Sequence, residues 1–224
     1  MSAYKIRRVV LVLALLIIVA VPLASQPLDV IQLPGTGKIN DADIPAELAS
    51  LAVKGRAPKT GYERSQFGDG WSRANGCDTR NVILARDLKD AVVDDTCKVL
   101  SGRLDDPYTG KSIEFARGAT TSDDVQIDHV VALSDAWQKG AQQLSYETRV
   151  NFANDPLNLL AVDGLANQQK SDGDAATWLP SNTVFRCKYV QRQVDVKQKY
   201  SLWVTTPERD AIARILGACA EVNN

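Results

Sequence analysis

Apolar positions along the chain fall into several distinct rhythms. An unbroken run from Val9 to Val21 comes first, behind a segment carrying Lys5, Arg7 and Arg8. Between Ile44 and Val53, Leu48, Leu51 and Ala52 share a stripe, which predicts a short helix with Asp43 as N-cap and Pro45 at its first position. From Val82 to Val93 a helical spacing puts Val82, Leu84, Leu88 and Val92 on one buried face. The pattern then turns to strands. Asp105-Asp106-Pro107-Tyr108-Thr109-Gly110 is a turn by residue type, and Ser112 to Phe115 follows as a strand pairing back through a hairpin. Val-Gln-Ile-Asp-His-Val-Val-Ala-Leu (125–133) opens with strand-like alternation.

The second half is mostly helical. Ser134 to Gly140 and Tyr146 to Ala153 predict helices with Ser134 and Ser145 as caps. Asn158 to Lys170 reads as a short strand, a turn at Asp163-Gly164, and a helix bearing Asn167 and Lys170. Thr183 to Tyr200 places Val184, Cys187, Val190, Val194 and Tyr200 along one side of a helix. The last helix opens at Thr206-Pro207-Glu208, as N-cap, N1 and N2, with Ile212, Ile215, Leu216 and Cys219 on one face. Residues 26–43, with Pro27, Pro34, Gly35 and Gly37, read as an extended linker. The organisation expected is therefore an export segment over 1–25, a linker with a short helix over 26–60, and an α+β domain over 61–224.

Composition narrows the picture. The 224 residues are 45% apolar and 24% charged, an ordinary globular balance that can bury a core without metal support. The formal charge is −1; residues 1–25 carry three bases and no acid, leaving 23 basic against 27 acidic residues, a net of −4. Any contact with phosphate must then come from a local patch or a bound cation. The four cysteines form no Cys-x-x-Cys pair and there is one histidine, which argues against a structural zinc set. An even number of cysteines behind an export segment favours two disulfides. Of three connectivities the sequential one, Cys77–Cys97 and Cys187–Cys219, is preferred because each pair lies within one chain region. The basic start and apolar run fit a signal peptide. Pro22-Leu23-Ala24-Ser25 is a poor cleavage signal, and residues 9–24 are long enough for a tilted anchor. The product is expected outside the cytoplasm, released or held to the membrane by that segment alone, with Lys5, Arg7 and Arg8 inside.

Candidate chemistry centres on Asp128 and His129, the single histidine, within an otherwise apolar stretch. A buried ionisable pair is costly unless it has a partner or a task. Neighbours on a regular strand point to opposite faces, so one site can use both only at a strand end or a bulge. Asn167 and Lys170 are neighbours on one helix face; an amide oxygen suits a hard cation and an ammonium suits a phosphate oxygen. Gly61 to Gly76 combines Tyr62, Phe67 and Trp71 with Arg64 and Arg73, a set that could hold unpaired bases, although aromatics pinning a loop to the core are the simpler reading. A serine hydrolase would need a Gly-x-Ser-x-Gly elbow, and none is present.

Ile-Asp-His-Val-Val-Ala-Leu, Arg149 to Asp155, Asn158-Leu-Leu and Asn167-Gln-Gln-Lys170 together resemble the HNH (His-Me finger, ββα-metal) nuclease motif. More closely, they resemble secreted bacterial HNH-family proteins related to the C-terminal domain of GmrSD restriction nucleases. The likeness takes in Asp106-Pro-Tyr-Thr-Gly110 and Asp174 to Pro180, and so covers roughly Tyr62 to Cys219. It implies a ββα-metal core surrounded by helices and an endonuclease acting on nucleic acid, DNA first, with little sequence preference. It implies His129 as general base, Asp128 as ligand of one divalent cation, and Asn158 as brace of the loop that holds the imidazole. Asn167 would be the second ligand, where many relatives have histidine, which favours Mg²⁺, or Mn²⁺, over Zn²⁺. Lys170 and Arg149 would hold phosphate. Such relatives often carry glycine after the motif lysine, where this chain has Ser171. The alternative is an exported or anchored binding protein that keeps the fold without the activity; the residues imply no protein partner.

Overall fold

The structure is a computed structural model that describes residues 44–118 and 122–222. The signal or anchor segment and Asp43 lie outside these residues. Among the described residues no helix is long and apolar enough to cross a membrane. Helix α1 (Ala46–Ala49) is shorter than the stripe predicts, with Pro45 itself at the N-cap. Leu48 and Leu51 are buried, while Ala52 is exposed. Its backbone carbonyl accepts the N–H of Val204, and a parallel bridge joins Val53 to Val204. Leu48 and Leu51 thus tie the described part of the expected linker to the core.

A two-residue ladder, β1 (Arg73–Ala74) with β2 (Cys77–Asp78), leads into α2 (Thr79–Asp87). Asp78 caps that helix by accepting the Asn81 N–H at 2.9 Å. The helix expected to reach Val93 stops at Asp87, and Lys89–Val93 is strand β3. Ile83 and Leu84 are buried, whereas Val82 and Val92 are 43% and 53% exposed. The β-branched pair Val92-Val93 suits a pleated edge, and pairing with β4 (Val99–Asp105) overrides the helical spacing. Strand β5 (Ser112–Ala116) completes a three-stranded antiparallel sheet, as the hairpin pattern predicts. Cys77–Cys97 ties the start of α2 to the β3–β4 turn.

The second sheet has only two strands, β6 (Val125–His129) and β7 (Leu159–Asp163), antiparallel and in unbroken register from Val125↔Asp163 to His129↔Leu159. Between them in sequence come α3 (Leu133–Gln138) and α4 (Tyr146–Asn154). Ser145 caps α4 as predicted, but Ser134 lies inside α3, behind Ala132. Helix α5 (Gly164–Lys170) leaves β7 without a loop, because Asp163 both ends the strand and accepts the Ala166 N–H at 2.7 Å. Position 164 must be glycine: a Cβ there would lie 2.1 Å from the Asp123 carbonyl oxygen. The hairpin alternates as a half-sheet should. Val125, Ile127, Leu159 and Ala161 face α2 and the three-stranded sheet. Leu160 and Val162 face the C-terminal helices.

The outer edge of β7 is occupied by side chains. Ala161 N–H donates to Asp87, and the Leu159 carbonyl accepts from Arg86 and Arg192. Helix α6 (Arg186–Lys199) begins after a 3-10 turn at Thr183–Phe185, which leaves Val184 85% exposed rather than on the packed side. Helix α7 (Thr206–Val222) is capped one residue earlier than its sequence suggests. Thr205 and Glu208 exchange side-chain and backbone hydrogen bonds at 3.3 Å, a reciprocal capping box. Cys187–Cys219 clamps α6 to α7, so both disulfides follow the sequential pairing.

Candidate active site

An open cleft of about 550 Å³ lies where β6 ends and α5 crosses it, and Asp128, His129 and Asn167 line it together. The two acid–base residues reach it at a strand end, one of the two departures from a regular strand that the sequence allows. His129 is the last residue of β6, so the side chains leave opposite faces and the cleft wraps the strand end.

On one face, the Asp128 carboxylate is enclosed. Tyr108 donates its hydroxyl to Oδ2 at 2.5 Å, and Lys170 Nζ donates to Oδ1 at 3.0 Å and to the His129 carbonyl at 2.8 Å. Burial pushes the Asp128 carboxyl above its ordinary range, while Lys170 and Tyr108 oppose that shift. Tyr108 is placed by the Asp106 turn, whose carboxylate accepts from Thr109 and from the Asp163 N–H at the end of β7. The turn is obvious in sequence, but nothing along the chain signals that its tyrosine meets Asp128.

On the other face, His129 Nε2 lies 2.8 Å from the Ala153 carbonyl, an oxygen that can only accept. Nε2 therefore carries the proton and Nδ1 keeps its lone pair. Trp71 lies parallel to the ring, 5.7 Å between centroids at 12°. Burial lowers the imidazole pKa from 6.5 to about 3 in the free protein, against the Ala153 hydrogen bond, which raises it. Asn158, fully buried, accepts the Val131 N–H at 2.8 Å and donates to the Val131 carbonyl, while its own carbonyl accepts the Val130 N–H. One side chain thus holds the backbone that leaves His129.

Asn167 donates Nδ2 to Gln126 Oε1 at 2.9 Å, which reserves its Oδ1 as an acceptor. A hard cation could use that oxygen and the remaining lone pairs of Asp128. Mg²⁺ is commonly held by one or two protein oxygens, with water and substrate phosphate completing the shell. Among the described residues no group of three or more His, Cys, Asp or Glu side chains comes together for a metal.

The two side chains expected to hold phosphate are engaged elsewhere. Lys170 has a fully buried side chain and is spent on Asp128 and a carbonyl. Arg149 donates to Gln66 and Leu144 carbonyls, and its guanidinium covers Trp137. Neither lines the cleft; Lys59, Arg64 and Arg80 do. Of these, Lys59 pairs with Asp172 at 3.4 Å and Arg80 donates to the Ser122 and Val125 carbonyls, which leaves the Arg64 guanidinium turned to the cleft without such a partner among the described residues.

Residues 78–215 match the family described as GmrSD restriction endonucleases, C-terminal domain. The chain belongs to that family. A protein of Arthroderma benhamiae described as an uncharacterized secreted protein is 36% identical over 174 residues, 77% of this chain and 82% of its own length. No solved structure gives a significant match. As a GmrSD C-terminal-domain protein the chain is nuclease-related, and the matched span contains Tyr108, Asp128, His129, Asn158 and Asn167. Lys59, Arg64 and Trp71 fall outside that span, so family membership is silent about them.

Proposed function

We propose that this protein is an exported, HNH-type endonuclease that hydrolyses phosphodiester bonds of nucleic acid, DNA first, with His129 as general base. The observation that carries the reading is the tautomer of His129: Nε2 is held by the Ala153 carbonyl, leaving Nδ1 as a buried, neutral proton acceptor. The order strand, strand, helix (β6, β7, α5), with Asp128 and Asn167 lining one cleft, supports the ββα-metal reading. Export is supported by the basic and apolar N-terminal segment together with the description of the Arthroderma relative as secreted.

In the mechanism, Nδ1 of His129 takes a proton from the attacking water. The imidazole of the free protein is a weak base because burial penalises its charge. A phosphate anion entering beside it stabilises the imidazolium and restores proton affinity in the complex. Asn158 keeps the ring and the following backbone from relaxing. Asp128 and Asn167 would hold one divalent cation, Mg²⁺ or Mn²⁺, which supplies charge stabilisation of the phosphate and the leaving oxygen. Tyr108 and Lys170 orient the Asp128 carboxylate, and Arg64, Arg80 and Lys59 attract the substrate backbone.

Plasmid DNA with Mg²⁺ tests the reading. His129→Ala should lower the nicking rate by about 10²–10⁴ while circular dichroism stays unchanged. Undiminished nicking by that variant would remove His129 as the base. A parent protein that binds nucleic acid but never cleaves it would leave the non-catalytic alternative.

A further inference from the structure

A second cavity, about 200 Å³, lies beside the cleft and shares Arg64, Trp71, His129 and Leu133 with it. Phe67, Leu133 and Ala153 give it apolar walls, while Gly68 and Gly70 present no side chain to fill it. Both glycines have positive φ, 101° and 122°, a conformation that disfavours any residue with a Cβ. Around Gly70 a Cβ would meet nothing within 4 Å, so the wall is open space rather than a packed turn. Arg64 is the single charged group of the lining, beside the neutral imidazole, and its guanidinium makes no hydrogen bond or ion pair among the described residues. Phe67 is buried against Phe152 and Trp137 and pins the loop. Trp71 is half-buried and borders both cavities.

We infer that this cavity is a subsite for one unpaired nucleobase next to the scissile phosphate, with Trp71 packing on the base and Arg64 holding the adjoining phosphate. The inference rests on the nuclease reading and names its substrate class as single-stranded or locally unpaired nucleic acid. An uncharged, planar, apolar-faced group beside an anion is what these walls complement. A base inside a duplex has both faces covered by its neighbours and cannot enter. Because the two cavities meet at His129, a strand passing from one to the other brings its phosphate past the base catalyst.

Fluorescence anisotropy with phosphorothioate DNA oligonucleotides on the full chain tests this. The parent should bind single strands about tenfold tighter than the matching duplex, the order of one stacked base. Abasic nucleotides in the strand should remove that gain from the parent and cost Trp71→Ala nothing further. Trp71→Phe should keep most of the affinity, which separates a lost ring from a misfolded loop. Arg64→Ala should weaken intact and abasic strands alike. Equal binding of abasic and intact strands by the parent would overturn the subsite while leaving the nuclease intact, provided plasmid is still cleaved. A parent that neither binds nor cleaves any oligonucleotide would overturn both.

Discussion

At the scale of single residues, the site is a set of polar groups whose partners are already assigned. Tyr108 matters because it is wholly buried and its hydroxyl is aimed at one carboxylate oxygen. Tyr108→Phe keeps the ring packing against Trp178 and Tyr189 but removes the hydroxyl that Asp128 Oδ2 accepts from. We expect Mn²⁺ affinity, measured by calorimetry, to fall several-fold and the thermal midpoint to drop by a few degrees, in line with a loss of about 1–3 kcal/mol for a buried charged acceptor. His129 predicts a pH dependence of folding. Its folded pKa is about 3 against 6.5 in the unfolded chain, so below 6.5 the unfolded state binds a proton that the native state refuses. Its contribution is absent above that pH and increasingly destabilising from about 6.5 down to about 3. Urea midpoints between about pH 4 and pH 8 should show parent and His129→Gln diverging on the acid side only. Parallel curves would place the imidazole pKa near its ordinary value.

At the scale of elements, the hairpin and the helix after it behave as one unit. Gly164 lets α5 start against the Asp123 carbonyl, and Asp163 makes strand end and helix cap the same residue. The helix ends at Ser171, with φ 52° and ψ −123°, a backbone state that a Cβ opposes and glycine accepts. This explains physically why a glycine suits the position after the motif lysine. Ser171→Gly should raise stability by about 1 kcal/mol, read as a shift in urea midpoint with no loss of cleavage. A lower midpoint would mean that the serine hydroxyl, not backbone strain, dominates there.

At the scale of the whole molecule, a buried ion network joins segments distant in sequence. Lys139 Nζ lies 2.6–2.7 Å from Asp135, Asp174 and Glu208; Lys197 reaches Glu208 at 3.0 Å and Asp135; Arg56 bridges Asp135 and Asp174. Burial alone would lower the Lys139 pKa, yet the three carboxylates hold it above its usual value. Three acids and three bases balance, so the cluster fixes α3, α6, α7 and the Asp174 turn relative to one another. Lys139→Met would leave three carboxylates short of one cation in a dry setting. A loss of about 3–5 kcal/mol is expected, seen as a large drop in thermal midpoint. A small drop would show that Lys197 and Arg56 suffice.

Sequence by itself determined the local features here: the β6 alternation, the β7–α5 junction, the hairpin around Asp106, the Ser145 cap and the sequential disulfides. Apart from the disulfides, which join residues 20 and 32 positions apart, these rest on short-range sterics and spacing, which neighbouring residues carry. It also singled out Asp128 and His129, because polar groups in an apolar run stand out, whereas Asn158 and Asn167 came mostly from the family resemblance. Only the tertiary structure decided which cations face the cleft. Lys170 and Arg149 look like phosphate ligands along the chain, but packing turns both inward, and Arg64 and Trp71 arrive from a loop more than fifty residues upstream of the histidine. The end of α2 was likewise decided from outside, since Val92 and Val93 fit a helical stripe until β4 offers them a partner strand. Burial and long-range pairing depend on what a residue meets in three dimensions, and spacing along one chain does not encode that.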